Sequence, residues 1–441
     1  MNRIIVVALL FVTVFGLGCG EKEPPPEKSS PTAEKTDEKK SSVEKKPVPK
    51  KPVKLPLDQR LYGGFKHKDW PSRISNLAPD SSTAIEAVPG MLALVADEEV
   101  PANTRQQAAF KLGHIGAPAV KAVPIFVSLL QKHASSEKPD DNLICMWSIR
   151  SLSFLGPVAK AATPELAKIV TDSTKPIPMR GGCMEALGKI GAADAKAVST
   201  ISKMLTFRFD RNIGRTNENL LRGYAIDSVA LVGPSAAPFA MRSLIKLSRH
   251  RNDDIRRKSA YALGSMKQQG RDAVAPLADL LIDDDSPAVR DAAADGLASL
   301  GELALPFLVK KLTAEEPADR ARAASSLGKM KLLNKSATDA LTKMALDPLD
   351  NALDDDDGWV RINAIESLWI ITGKPDAVVF ALVEELKNPN RRIRFKAYQL
   401  FQKIGAEAKS AIGPLKKLLT HEQGFVRSAA AKALRTIETA R

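Results

Sequence analysis

The chain has 441 residues, of which 44% are hydrophobic and 5% aromatic, and its formal net charge is +14. Its length exceeds one ordinary hydrophobic core, its apolar share excludes disorder throughout, and its three cysteines exclude a disulfide-stapled scaffold. The basic surplus indicates nucleic acid or an anionic surface as a partner, depending on the compartment and on where the charge lies.

Residues 1–18 have the pattern of a secretory signal peptide. A positively charged start is followed by an apolar run over residues 4–15, which is too short to span a bilayer comfortably. The ending Gly18-Cys19 resembles the lipobox of bacterial lipoproteins. The resemblance implies that Cys19 is lipidated and anchors the chain at the extracytoplasmic, periplasmic face of a cell-envelope membrane. Cleavage with release, or retention as an uncleaved anchor, are the alternatives.

Residues 19–57 are predicted to be the lipidated cysteine and a disordered tether. The segment consists mainly of Pro, Glu, Lys and Ser. It has too few apolar residues to offset the conformational entropy lost on folding. Because its basic and acidic residues largely cancel, most of the basic surplus is expected on the folded part of the chain.

The rest of the chain repeats one frame of residues, with starts 30 to 42 residues apart. Counting from an arginine at position zero, each unit has a small residue at +3 and large apolar residues at +7 and +10. Several units add a glycine at +11. These offsets share one helical face, and a glycine at +11 is placed to end the helix with a positive φ. A tenth unit has Cys145 at position zero, and nine units start at Arg105, Arg180, Arg222, Arg256, Arg290, Arg320, Arg361, Arg394 and Arg427.

A second apolar segment follows each frame and often has proline near its first turn, as in residues 273–281. Two stacked helices in every repeat predict an all-α fold, an α-solenoid. The sequence of residues 179–191 resembles HEAT repeats of the type first named from phycobilisome lyases. It reads Met-Arg-Gly-Gly-Cys-Met-Glu-Ala-Leu-Gly-Lys-Ile-Gly. The resemblance implies a superhelix of about eleven helical pairs. We expect an N-terminal cap and degenerate repeat over residues 58–100, and the HEAT-like array over residues 101–441.

The basic residues fall into two classes. We interpret the repeat arginines as structural, because each follows or neighbours an Asp- or Asn-rich turn with which it can pair between units. Basic residues outside the frame are candidates for partner binding, and a solvated charged face is the alternative. They form three groups: Arg208, Arg211 and Arg215; Lys246, Arg249, Arg251, Arg257 and Lys258; and Arg391 and Arg392.

Three other features of the sequence bear on metal binding, disulfide pairing and catalysis. The acidic loop Asp354–Asp357 is a Ca²⁺ candidate or a solvated loop that caps the helix at Trp359. Cys145 and Cys183 lie in adjacent first helices, where they are core residues or a disulfide pair. A single His-Glu dipeptide, at residues 421–422, is too little for the di-iron site of the HEAT-like deoxyhypusine hydroxylases. We therefore predict no catalytic residue, no metal and no cofactor.

The sequence as a whole predicts a non-enzymatic, monomeric protein-binding scaffold held at the cell envelope by a lipid anchor. The identity of the protein partner stays open. One alternative is a HEAT-like enzyme, either an oxidoreductase or a bilin lyase. The other is a binder of anionic envelope polymers or lipids. Nucleic acid is disfavoured by the export signal and by the absence of aromatic residues interleaved with the basic ones.

Overall fold

A computed structural model of the protein describes residues 55–208, 213–333 and 337–439. The signal peptide, Cys19, the tether up to residue 54 and the binding candidate Arg211 lie outside the described residues. The described chain opens with a short antiparallel hairpin of β1 (Leu61–Tyr62) and β2 (Phe65–Lys66). Everything after this hairpin in the described residues is helix, turn or connecting loop.

The helices follow one another along the chain in a regular order. They are α1 (Trp70–Asn76), α2 (Ser82–Ala96), α3 (Ala102–Ile115), α4 (Ala122–His133), α5 (Pro139–Leu155), α6 (Thr163–Thr171), α7 (Ile177–Ile190), α8 (Ala195–Met204), α9 (Arg215–Val232), α10 (Ala237–Leu247), α11 (Asp253–Ser265), α12 (Val274–Asp283), α13 (Pro287–Leu300), α14 (Leu305–Lys311), α15 (Pro317–Leu333), α16 (Thr338–Asn351), α17 (Gly358–Thr372), α18 (Val379–Glu385), α19 (Arg391–Ile404), α20 (Ile412–Leu418) and α21 (Gly424–Thr439). From α3 onward, odd numbers are the first helices of repeats and even numbers are the second helices. The predicted α-solenoid is confirmed: within the described residues, nine complete pairs lie between α1–α2 and the single helix α21.

The repeat frame accounts for the core. All ten residues at +3 have no exposed surface, from Ala108 in α3 to Ala430 in α21. The residues at +7 and +10 are buried as well, except for the half-buried Val232. A small residue at +3 lets the neighbouring helix approach closely, while the larger residues at +7 and +10 supply most of the apolar area removed from water.

The turn after most first helices contains a residue with positive φ. Every glycine at +11 has one, with φ between 55° and 73°, and these residues are Gly116, Gly156, Gly191, Gly233, Gly301 and Gly405. In the unit that starts at Arg256, this position is Lys267, which adopts φ 47° without being glycine. In this unit the turn geometry persists without the glycine, whereas Lys331 and Thr372 at +11 of two other units have no positive φ.

Between α3 and α17, a glycine at +8 sets the spacing at every second interface between first helices; at α19–α21 the +8 residue is Gln402. A methyl group built on Gly264 of α11 would lie 2.5 Å from the Cα of Gly296 in α13. On Gly328 of α15 it would lie 2.5 Å from Oγ of Ser367 in α17. The same +8 to +6 approach joins Gly113 to Ser151 and Gly188 to Ser228, at 3.1 Å and 2.9 Å from the respective carbonyl oxygens. The paired helices are α3–α5, α7–α9, α11–α13 and α15–α17.

The intervening interfaces have a different chemistry. Their +8 residues are larger: Ser153, Ala230, Ala298 and Trp369. Three of these four interfaces carry a lysine that reaches back to the +5 carboxylate of the preceding unit, as Lys258 does to Asp227 and as Lys329 does to Asp295 at 2.5 Å. From α3 to α19, glycine contacts therefore occur at every second interface, and lysine–carboxylate bridges occur at three of the four interfaces between them.

The N-terminal end is closed by an aromatic plug. The Trp70 side chain is 1% exposed and donates from Nε1 to the Tyr62 carbonyl at 3.1 Å. It lies against Gly90 in α2, where an added methyl group would be 2.4 Å from the indole ring. This plug covers apolar surface that would otherwise face water at the end of the stack.

Candidate functional site

The nine repeat arginines share a structural role that differs in part from the predicted one. Each donates to backbone carbonyls that precede its own helix. Arg105, for example, contacts Val95 O at 3.0 and 3.1 Å, and Arg394 contacts Asn388 O at 2.7 Å. Sequence reasoning assigned these arginines to acidic side chains, whereas the common partner is the free carbonyl end of the preceding turn or helix. They hold each repeat on the one before it.

Three of the nine arginines also bind a carboxylate that lies further along the chain. Arg256 binds Asp284 in a bidentate manner at 2.6 and 2.9 Å, and Arg320 binds Asp355 with the same distances. Arg361 binds the buried Glu385 at 2.5 Å. Asp284 and Asp355 belong to the Asp-rich turns before α13 and α17, whereas Glu385 is the last residue of α18, in the same repeat as Arg361.

These ion pairs make stability depend on pH in a defined direction. The hydrogen bonds from Arg256 and Arg320 lower the pKa of Asp284 and Asp355, respectively. Such a contribution is fully present above the unfolded pKa of about 3.9, and it is lost as the pH falls through the folded pKa. We expect the melting temperature to fall in this acidic range, and to fall less steeply in Asp284→Asn than in the wild type. Equal slopes in a pH series of thermal melts would contradict this assignment.

The described members of the first two groups are exposed, except for the half-buried Lys258, and they do not line a common cavity with apolar residues as the third group does. Arg208 and Arg215 lie in solvent on either side of the undescribed residues 209–212. Lys246 and Arg251 are also exposed. Three members of the second group are engaged by carboxylates, in the pairs Arg249–Asp279, Arg257–Asp254 and Lys258–Asp227.

The third group lines a cavity between α17 and α19. Its volume is about 640 Å³, within the range of ligand pockets in proteins. We call it the basic groove, and it is lined by Trp359, Glu366, Arg391, Arg392, Phe395, Lys396, Gln399, Leu400 and Lys403. It lies at the interface where Trp369 occupies the +8 position, so no glycine draws the two first helices together.

The two arginines of the basic groove are available to a partner. Arg391 and Arg392 are exposed, and neither forms an ion pair within the described residues. In contrast, Lys396 and Lys403 share Glu366, at 3.1 and 2.8 Å. Burial acts to raise the pKa of Glu366, but the hydrogen bonds and charges of these two lysines lower it, so it stays ionised. The groove lining therefore has four basic residues and one carboxylate, a formal charge of +3, and its two arginines have no ion pair within the described residues.

Two aromatic side chains flank these charges. Phe395 is 58% exposed and Trp359 is 36% exposed. Trp359 also lines a second cavity of about 500 Å³ on the side of α13 and α15, together with Asp291, Glu316 and Asp357. The charge of the surface therefore changes sign across Trp359.

Sequence reasoning identified Arg391 and Arg392 but missed Trp359, Phe395, Glu366 and Lys403. A signal for the two aromatics was present. Trp359 stands at −2 and Phe395 at +1 of the frame, which are positions outside the buried set. A large aromatic residue at a solvent-facing frame position does not contribute to packing between repeats, so it indicates a surface for binding.

The remaining candidates have structural surroundings. In the acidic loop, Asp355 pairs with Arg320, and Asp357 caps α17 by accepting from Trp359 N at 2.8 Å. Cys145 and Cys183 are free, buried thiols; burial raises the pKa of Cys145 to about 11 and that of Cys183 well above its usual range. Within the described ranges no cluster of three or more His, Cys, Asp or Glu side chains could hold a metal ion.

Comparison with known proteins supports the repeat assignment. The family model for HEAT repeats matches residues 215–298, 241–327 and 274–351. A search of curated proteins finds no match. Among solved structures, Kap95p with RanGDP has a TM-score of 0.48 at 13% identity, covering 84% of this chain and 52% of that one. Kap121p bound to Pho4p has a TM-score of 0.44 at 14% identity, covering 85% of this chain and 44% of that one. The chain thus spans about half the length of these karyopherins, and the matched windows contain HEAT repeats.

Proposed function

We propose that this HEAT-repeat chain is a non-enzymatic scaffold that binds a protein partner, and that Cys19 anchors it at the extracytoplasmic face of a cell-envelope membrane. The observation that carries the binding role is the basic groove, with its two unpaired arginines and two exposed aromatics. Arginine and aromatic side chains are the residues that most often dominate protein interfaces. The array holds them on rigid neighbouring helices, so the surface is formed before the partner arrives.

A photo-crosslinking experiment tests the binding role. A photoreactive phenylalanine analogue at Phe395 is expected to capture a discrete protein from envelope membranes of the source cells. The matched control is Phe380 in α18, which is equally exposed at 58% but belongs to a second helix outside the groove. The same adducts at both positions, or none at Phe395, would contradict the proposal.

The anchor is supported by the sequence of residues 1–19 alone. Several acyl chains on one cysteine bind a bilayer far more firmly than a single chain does, at about 0.8 kcal/mol per buried CH₂ group. We expect metabolic labelling with a lipid precursor to mark the wild type, and we expect the Cys19→Ala variant to lose both the label and membrane retention. A label that persists in Cys19→Ala would show that the anchor lies elsewhere.

A further inference from the structure

The start of helix α19 has an unfavourable distribution of charge. Arg391 and Arg392 occupy its first two positions, and its first turn has no acidic residue. A helix N-terminus carries a partial positive charge, so cations there destabilise the helix and anions stabilise it. Asn390 caps the helix by accepting from Arg392 N at 2.9 Å, but it brings no charge. Helix α11 shows the favourable arrangement, because it begins with Asp253 and Asp254.

A negatively charged group in the basic groove would remove this conflict. It would meet two arginines that lack an ion pair in the described chain, and it would complement the positive end of α19. Residues that destabilise their own helix without a compensating structural contact are expected at functional sites. The ligand chemistry indicated by the charges is a carboxylate or another anion.

The aromatic side chains indicate that the ligand also has an apolar part. Phe395 lies next to the arginines in the sequence and lines the same cavity, with Trp359 on the opposite helix. The buried Leu400 adds apolar surface to the lining of the same cavity. A purely ionic polymer or headgroup would leave these aromatic surfaces without a counterpart, whereas a large apolar side chain would fill the space between them.

The surroundings restrict how far the negative charge can extend. On the far side of Trp359, the lining of the second cavity has three carboxylates, Asp291, Glu316 and Asp357, and one arginine, Arg322, which pairs with Asp319. These carboxylates repel an acidic chain, so a long uniform polyanion meets unfavourable charge within one repeat. A short acidic stretch over α19, next to one apolar side chain at Trp359, fits the charge on both sides.

We infer that the basic groove binds a short acidic segment of a protein partner that carries one large apolar side chain. This inference rests on the proposed scaffold function and names the chemistry of its partner. The carboxylates of the segment contact Arg391 and Arg392, and its apolar side chain packs between Phe395 and Trp359.

The test measures fluorescence anisotropy with the full chain carrying Cys19→Ala. The probe is a short labelled peptide of Asp, Glu and Ser with one central Trp. Two comparison peptides replace the acidic residues by Lys or the Trp by Ala. We expect the probe to bind at least about tenfold more tightly than either comparison peptide. Equal affinity for the Trp and Ala peptides, or for the acidic and Lys peptides, overturns the inference.

Variants separate a binding role from a structural one. Arg391→Glu with Arg392→Glu is expected to weaken probe binding at least about tenfold while leaving the melting temperature unchanged or raised, since the helix start gains negative charge. The matched control is Lys416→Glu with Lys417→Glu in α20, which makes the same charge change at exposed positions outside the groove. Equal weakening in both double variants would overturn the inference, because it would show a general field effect.

Other anions give the remaining outcomes. Phosphatidylglycerol vesicles and soluble polyphosphate compete in the same assay, and displacement of the probe by either at equal anion concentration overturns the inference. If the analogue at Phe395 captures a protein but the acidic probe fails to bind, the inference fails and the scaffold proposal stands. If Phe395 captures nothing, the scaffold proposal itself fails.

Discussion

Gly264→Val is expected to destabilise the array by about 3 kcal/mol, the upper end of the usual cost of overpacking a core. The first added carbon would lie 2.5 Å from the Cα of Gly296 and 3.0 Å from its carbonyl oxygen. Both are backbone atoms, so no side chain can rotate away to make room. Relief requires α11 and α13 to separate, which would remove their apolar contacts.

The measurement is urea and thermal unfolding of the full chain, compared with Gly413→Val. Gly413 lies in α20 with ordinary φ, and a methyl group there meets nothing within 4 Å. We expect this control to change stability by less than about 0.5 kcal/mol, because valine is the slightly better helix former. If the two variants unfolded alike, close packing at Gly264 would not be what sets the helix spacing.

Arg256→Ala is expected to cost about 3 kcal/mol, because it leaves the carboxylate of Asp284 buried without its partner. The Asp284 side chain is 4% exposed, and its carboxylate accepts hydrogen bonds from Nε and Nη2 of Arg256. The same substitution frees the carbonyl of His250, which accepts from Arg256 at 2.9 Å. The substitution therefore removes hydrogen bonds to the turn before α11 and to the turn after α12.

The neighbouring residue supplies the control. Arg257 pairs with Asp254 at 2.5 Å, but both side chains are about half exposed, at 45% and 53%. Surface pairs of this kind contribute about 0–1 kcal/mol, so Arg257→Ala should be close to neutral. Comparable losses for Arg256→Ala and Arg257→Ala in the same unfolding series would contradict the role assigned to burial.

The fold could be predicted from the sequence because its core repeats. Three offsets on one helical face were enough to place Leu112, Leu187 and Leu297 in equivalent buried positions, and the glycine at +11 marked where each first helix ends. The pairing of repeats was missed although its signal was visible. Gly188 and Gly264 stand at +8, but the meaning of that position depends on which helix lies opposite.

The candidate site could be predicted only in part. Arg391 and Arg392 were identified because no stacking rule requires them. The groove around them depends on the distance between α17 and α19, and a single sequence does not reveal that distance. The carbonyl partners of the repeat arginines were missed for a related reason. Every residue has a backbone carbonyl, so the sequence does not mark which carbonyl accepts a hydrogen bond.

The alternation of interfaces also limits how this array can change in length. A repeat whose first helix bears the +8 glycine fits a neighbour with a small residue at +6, as Gly328 fits Ser367. Between α3 and α18, deleting or duplicating one repeat would place two first helices with the +8 glycine side by side, or two without it. Deleting or duplicating two consecutive repeats would preserve the alternation. The unit by which such a protein can be shortened, lengthened or duplicated during evolution is therefore four helices, twice the unit that the repeat frame defines.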